Sequence, residues 1–172
     1  ASTDILKQWQ GLMGARLVLN AENSGNVWKQ WQKGLELAKG QYIWIAEADD
    51  LCDEDFLSTL LSHLQPKTAL AYCIPDVIDQ NGNAVALDYR SNYLSFASHD
   101  RWSRSYSVEG VEEVNAALSI VNTIPNVSAA IFRKPADMQA ILEAQKFRCA
   151  GDWMFYLKLA ESGQIAYVHE AH

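Results

Sequence analysis

The stretch Tyr42-Ile43-Trp44-Ile45-Ala46-Glu47-Ala48-Asp49-Asp50 decides the reading of this chain, because a short apolar β-run ends there in three carboxylates. A buried parallel strand reads as a continuous apolar run, and open α/β folds bind their ligands just beyond the carboxyl ends of such strands. The acids are therefore expected where a ligand sits. Carboxylates gathered at one point repel one another unless a cation or hydrogen bonds offset the charge, so the cluster points to a divalent metal with phosphate on its far side. The other reading is an acidic turn that caps the following helix.

Upstream, Ile5 to Met13 reads as a helix that Ser2, Thr3 or Asp4 can cap and Gly14 stops. Arg16 to Leu19 is expected to be a short strand and Asn20 to Asn26 a polar turn. Val27, Trp28, Trp31, Leu35 and Ala38 then lie on one helical stripe that Gly40 closes. Downstream, Leu57, Leu60, Leu61 and Leu64 keep helical spacing, with Asp53, Glu54 and Asp55 in the first turn, where the helix dipole favours negative charge.

Ala69 to Ile78 reads as a strand, with Pro75 implying an edge or a bulge, and Asn81-Gly82 favours a tight hairpin into Ala84 to Leu87. From Tyr89 to Gly110 the periodicity disappears among Arg90, Tyr93, Phe96, His99, Arg101, Trp102, Arg104 and Tyr106, which predicts a long mobile loop. Val111 to Val121 returns to helix, Ser128 to Phe132 reads as a strand, and Pro135 opens a further helix. The final unit starts at Gly151-Asp152 with a helix apolar on most sides, hence buried, and ends in a strand over Ile165 to Val168.

A chain of 172 residues accommodates one domain with a real core. Hydrophobic residues at 49% and charged ones at 20% place it among ordinary globular domains and exclude a disordered chain. No apolar run approaches the ~20 residues of a spanning helix, and the opening residues do not read as a signal segment. A net charge of −7 argues against a general nucleic-acid surface. Cys52, Cys73 and Cys149 are too widely spaced for a metal site and read as reduced, core-packing thiols in a cytoplasmic setting. Ala1-Ser2-Thr3-Asp4 leads into a helix with no strand before it, which reads as a piece of a longer, multi-domain protein, able to form oligomers through unpaired strand edges.

The run Asn23-Ser24-Gly25, then Gly34-Leu35-Glu36-Leu37-Ala38-Lys39-Gly40-Gln41-Tyr42-Ile43, then Glu47-Ala48-Asp49-Asp50 resembles the family 2 glycosyltransferases of the GT-A fold. Ala1-Ser2-Thr3-Asp4 is similar to the end of that family's early acidic motif, and Gly151-Asp152-Trp153 with its helix and Gly163 is similar to its late catalytic segment. Among members, the chain looks most like bacterial transferases of surface polysaccharide assembly, rhamnosyltransferase-like ones included. The family's opening strand and the first acids of its early motif have no counterpart here, and the Arg-Asn pair of its second helix is replaced by Gln30-Trp31-Gln32.

The resemblance implies a mixed, mainly parallel sheet flanked by helices, with residues 1–88 as donor and metal half, 89–110 as a mobile loop and 111–172 as acceptor and base half. It implies inverting transfer from a nucleotide-diphosphate sugar to a hydroxyl of a glycan or lipid-linked acceptor, at the inner face of the membrane through the longer protein. Mg²⁺ or Mn²⁺ would be held by Asp49 with Glu47 or Asp50 assisting, and Asp152 would be the catalytic base unless it serves only as a helix cap. Asp4, Asn23 and Asp50 would contact the donor, with Lys29 and Lys33 as substitute phosphate contacts, although Asp4 and Asn23 suit a cap or turn equally. Arg101 and Arg104 around Trp102 would form a lid over the donor phosphates, or else a solvated loop, with Trp153 on the acceptor side. Two other readings remain: a non-catalytic carbohydrate-binding or interaction module of the same fold, and a nucleotidyltransferase, which would normally carry a glycine-rich basic loop.

Overall fold

The computed structural model describes residues 2–85, 89 and 99–171. Five strands form one sheet in the spatial order β1-β4-β2-β5-β3, where β1 is Tyr42–Trp44, β2 Thr68–Tyr72, β3 Tyr106–Glu109, β4 Ala130–Arg133 and β5 Gln164–Tyr167. The chain is α/β as expected, but the sheet is mostly antiparallel. Only β2 and β5 pair in parallel, because β4 inserts between β1 and β2 and runs against both, while β3 runs against β5. β1, β2 and β5 still point the same way, so the segments after all three emerge at one end of the sheet.

The alternation of side chains along the strands sorts the core into two layers. Ile43, Leu70, Tyr72, Phe132, Ile165 and Tyr167 face one layer. There they meet Trp31 and Leu35 of helix α2, Val27–Leu37, together with the helices Gln139–Ala144 and Gly151–Ala160. Ala71, Cys73, Ile131, Ala166 and Val168 face the other layer, covered by Phe56 and Leu60 of the helix Phe56–Ser62. β2 is buried on both faces, which is why its sequence is an unbroken apolar run after Thr68.

Several expectations change. Arg16 to Leu19 carries no ladder, and Val18 and Leu19 are exposed, because no strand lies beside them among the described residues. The strand expected to reach Ile78 stops at Tyr72, ahead of Pro75, whose missing N–H cannot join a ladder. The turn at Asn81-Gly82 forms around Asp79, whose Oδ1 accepts the backbone N–H groups of Asn81 and Asn83, but its strands reduce to one bridge between Ile78 and Ala84. Leu87 lies outside the described residues.

Of the segment read as a mobile loop, Arg90, Tyr93 and Phe96 lie outside the described residues. His99–Trp102 is a 3₁₀ turn and Tyr106–Glu109 is the edge strand β3. The helix expected over Val111 to Val121 is a single α-turn, Gly110–Glu113, continuing as a π-helical turn, Val114–Leu118. The helix expected at Pro135 starts at Gln139. Of the thiols, only Cys73 packs in the core, while Cys52 and Cys149 are exposed. Helix α1, Ser2–Met13, starts three residues before the expected Ile5, which puts Thr3 and Asp4 inside its first turn, and it leaves Ile5, Leu6, Trp9, Leu12 and Met13 exposed. No helix among the described residues is long and apolar enough to cross a membrane.

Candidate active site

The site lies where β1 ends. Trp44 anchors that end by donating its indole N–H to the Ser128 carbonyl at 2.8 Å, and the backbone N–H of Glu47 donates to Ser128 Oγ at 2.9 Å. Ser128 sits in the turn leading into β4, and that turn faces the acids because β4 runs opposite to β1.

Two adjoining cavities open here, and Asn126 lines both. The larger, about 740 Å³, is bordered by Asp49, Asp50, Asp53, Asp76 and Ser128. The smaller, about 280 Å³, is bordered by Glu47, Asp152, Trp28 and Trp31. The three carboxylates that close the β1 run therefore divide: Asp49 and Asp50 turn to the larger space and Glu47 to the smaller, opposite Asp152. Among the described residues no three acidic, His or Cys side chains converge as a metal-binding group.

Electrostatics still tie the acids together. Partial burial pushes the Glu47 carboxyl above the usual carboxylate range, and the charges of Asp50, Asp49 and Asp152 push it further. Asp50 Oδ2 accepts the Asn126 side-chain N–H at 3.0 Å. Asp49 is exposed and its carboxylate has no hydrogen-bond partner among the described residues. A divalent ion in such a place would take one or two carboxylates and complete its shell with phosphate oxygens and water, the arrangement Mg²⁺ prefers over an all-protein cage. Asp49 and Asp50 fit that donor set.

Asp152 enters through a local backbone device. Ala150 adopts a left-handed conformation with φ of 58°, and Gly151 lets the helix start pack under the Trp28 ring. Asp152, in the first turn, is half-buried and its Oδ2 accepts the Asn122 side-chain N–H at 3.2 Å. The N-cap position of that helix is Ala150, so Asp152 lies inside the first turn and not at the cap itself. One turn along, the Tyr156 hydroxyl is fully buried with no hydrogen-bond partner among the described residues, and burial, then the charges of Asp152 and Glu47, push its pKa well above the usual phenol value.

The other residues read as site candidates fall elsewhere. Asp4 is on the exposed helix α1. Asn23 closes a turn by accepting the Gly25 backbone N–H at 2.9 Å. Lys29 is exposed on α2, and Lys33 donates to Asn20 Oδ1 at 2.8 Å. None of these four borders either cavity. Trp153 donates its indole N–H to the Leu118 carbonyl at 2.6 Å and packs on the core.

Arg101 and Trp102, expected in a lid, are ties into the core. Trp102 is 2% exposed, with its indole N–H on the Tyr72 hydroxyl at 3.3 Å. Arg101 pairs with the fully buried Glu113 and lies 4.7 Å from the Tyr106 ring centre, whereas Arg104, just past this turn, is exposed. The residues that sequence reading missed, Asn122, Asn126 and Ser128, share one segment. Its signal is the spacing Asn-Thr-Ile-Pro-Asn-Val-Ser, two turn-forming asparagines around a proline just before a strand.

Two comparisons with known proteins bear on this geometry. Over 52 residues the chain is 38% identical to Glycosyltransferase GlyG of Streptococcus pneumoniae, a match covering 30% of this chain and 17% of that protein, so the chain spans less than a fifth of that relative's length. Residues 1–137 match the family described as Glycosyl transferase family 2, a stretch that includes Glu47, Asp49, Asp50 and the Asn122–Ser128 segment and stops before Asp152. With its β1 acids set at the mouth of a ligand-sized cavity and most of its length matched, the chain belongs to glycosyl transferase family 2.

Proposed function

We propose that this chain is the catalytic domain of an inverting glycosyltransferase that moves a sugar from a nucleotide-diphosphate donor to an acceptor hydroxyl of a glycan or lipid-linked glycan, in bacterial surface polysaccharide synthesis. The observation that carries the reading is the meeting of Glu47 and Asp152 at one cavity that adjoins the larger one bordered by Asp49 and Asp50. The donor diphosphate lies against Asp49 and Asp50, and the acceptor approaches from the side of Asp152.

Inversion needs one displacement. The acceptor oxygen attacks the anomeric carbon while the bond to the diphosphate breaks, the acceptor proton passes to a base, and the nucleoside diphosphate departs. Asp152 serves as that base: Asn122 occupies its Oδ2, which leaves Oδ1 for the acceptor hydroxyl. Positioned bases of this kind contribute roughly 10²–10⁴ in rate. Mg²⁺ or Mn²⁺, held by Asp49 and Asp50, supplies Lewis-acid neutralisation of the diphosphate when bound. Glu47, with its raised pKa, borders the acceptor side and reports the excess negative charge that a cation would offset.

The test is release of nucleoside diphosphate from UDP-glucose, UDP-N-acetylglucosamine and dTDP-rhamnose with Mn²⁺. Asp49→Asn and Asp152→Asn are each expected to lose roughly 10²-fold or more. Retained turnover in both would sink the mechanism.

A further inference from the structure

Asn122 and Asn126 use their amides in the same way. Each Oδ1 accepts the backbone N–H two residues on, Ile124 at 3.3 Å for Asn122 and Ser128 at 2.6 Å for Asn126. This Asx turn commits the oxygen and so fixes which end of the amide faces outward. Each outward Nδ2 then donates to one acid of the site: Asn122 to Asp152 Oδ2 at 3.2 Å, and Asn126 to Asp50 Oδ2 at 3.0 Å. Pro125 lies between them and sets its own φ.

The segment is anchored at both ends. Thr123, fully buried, donates to Glu113 Oε1 at 3.1 Å, and Glu113 is paired with Arg101. Ser128 takes the Glu47 backbone N–H on its hydroxyl and the Trp44 indole on its carbonyl. Asp50 comes from the loop after β1 and Asp152 from a helix far along the chain, so this short segment is the shared reference that relates them. An amide also orients a carboxylate without bringing the full charge of an Arg or Lys, leaving Asp152 able to take a proton.

We propose that Asn122 and Asn126 are a matched pair of positioning residues that hold the base, Asp152, and the donor-side acid, Asp50, in register through the Asn122–Ser128 segment. The proposal rests on the reading of Asp152 as base. Misplacing a catalytic group by about 1 Å costs on the order of 10²-fold, and loss of an orienting partner typically costs 10- to 100-fold.

Serine separates orientation from turn formation, since its hydroxyl still accepts the i+2 N–H but is too short to reach the carboxylate. With the same three nucleotide sugars and Mn²⁺, Asn122→Ser is expected to lower kcat by roughly 10- to 100-fold with donor KM unchanged. Asn126→Ser is expected to raise donor KM and to weaken Mn²⁺-dependent UDP binding, read by calorimetry, by roughly 10-fold. In an Asp152→Asn background, Asn122→Ser should add no further loss. Wild-type behaviour of both serine variants alongside impaired Asn→Ala variants would show that the asparagines serve only the turns, overturning the proposal. Full turnover by Asp152→Asn alone would instead remove the base assignment, and the UDP-binding arm would still decide the role of Asn126.

Discussion

Gly151 lies so close beneath Trp28 that a Cβ at position 151 would stand 2.5 Å from Trp28 Cζ2 and 2.6 Å from the Ala144 carbonyl oxygen. A side chain can swing aside, but the backbone oxygen of the preceding helix cannot do so cheaply. Gly151→Ala is therefore expected to push out the start of the last helix and carry Asp152 with it. A stability loss of about 1–3 kcal/mol by thermal unfolding should accompany a fall in transfer rate of roughly 10-fold or more. Adding Trp28→Ala should not restore activity, because the Ala144 carbonyl still blocks the Cβ.

The Glu113–Arg101 pair joins a partly exposed guanidinium to a fully buried carboxylate that Thr123 and Tyr106 also hydrogen-bond. Removing one partner leaves an uncompensated charge in the core. Arg101→Ala, which strands the fully buried Glu113 carboxylate, is expected to cost about 3–5 kcal/mol in denaturant unfolding, and the double variant Glu113→Leu with Arg101→Met is expected to recover most of it. Equal losses in the single and double variants would contradict the pairing.

Tyr156 has a buried hydroxyl with no hydrogen-bond partner among the described residues. An unsatisfied buried polar group costs about 1–3 kcal/mol, so Tyr156→Phe should leave the unfolding free energy unchanged or raise it by about 1 kcal/mol. A loss of stability of that size in chemical denaturation would show that the hydroxyl has found a partner.

Glu47 gives a pH signature. Its folded pKa is raised above the ordinary 4.5, first by burial and then by Asp50, Asp49 and Asp152. The folded state therefore binds this proton more tightly than the unfolded chain, so its contribution is fully present below the unfolded pKa and is lost as pH rises through the folded one. Glu47→Gln should raise Tm near pH 7 in the presence of EDTA and leave it nearly unchanged near pH 4. Mn²⁺ should narrow the difference near neutral pH, which melting curves across that range would measure.

The local elements were legible where one short stretch carries its own signal. The Trp31–Leu35 stripe of α2, the apolar β1 run and the helix after Gly151 all formed close to their expected bounds. Long-range pairings left no such trace. β3 is four residues whose ladder depends on β5, far along the chain, and β4 reverses the sheet by pairing with both β1 and β2. The Arg101–Glu113 contact turned an expected lid into core for the same reason. Asp49, Asp50 and Asp152 announced themselves as acids at element ends, whereas Asn122 and Asn126 read as ordinary turn residues because their contacts with Asp152 and Asp50 depend on where each amide points.

The most direct measurement is a crystal structure with Mn²⁺ and UDP bound. The account predicts the ion at about 2.1 Å from an Asp49 carboxylate oxygen and from the diphosphate, in the cavity that Asp49 and Asp50 border, with Asp152 left free on the adjoining side. A diphosphate bound away from Asp49, or an ion held by residues outside these two cavities, would contradict it.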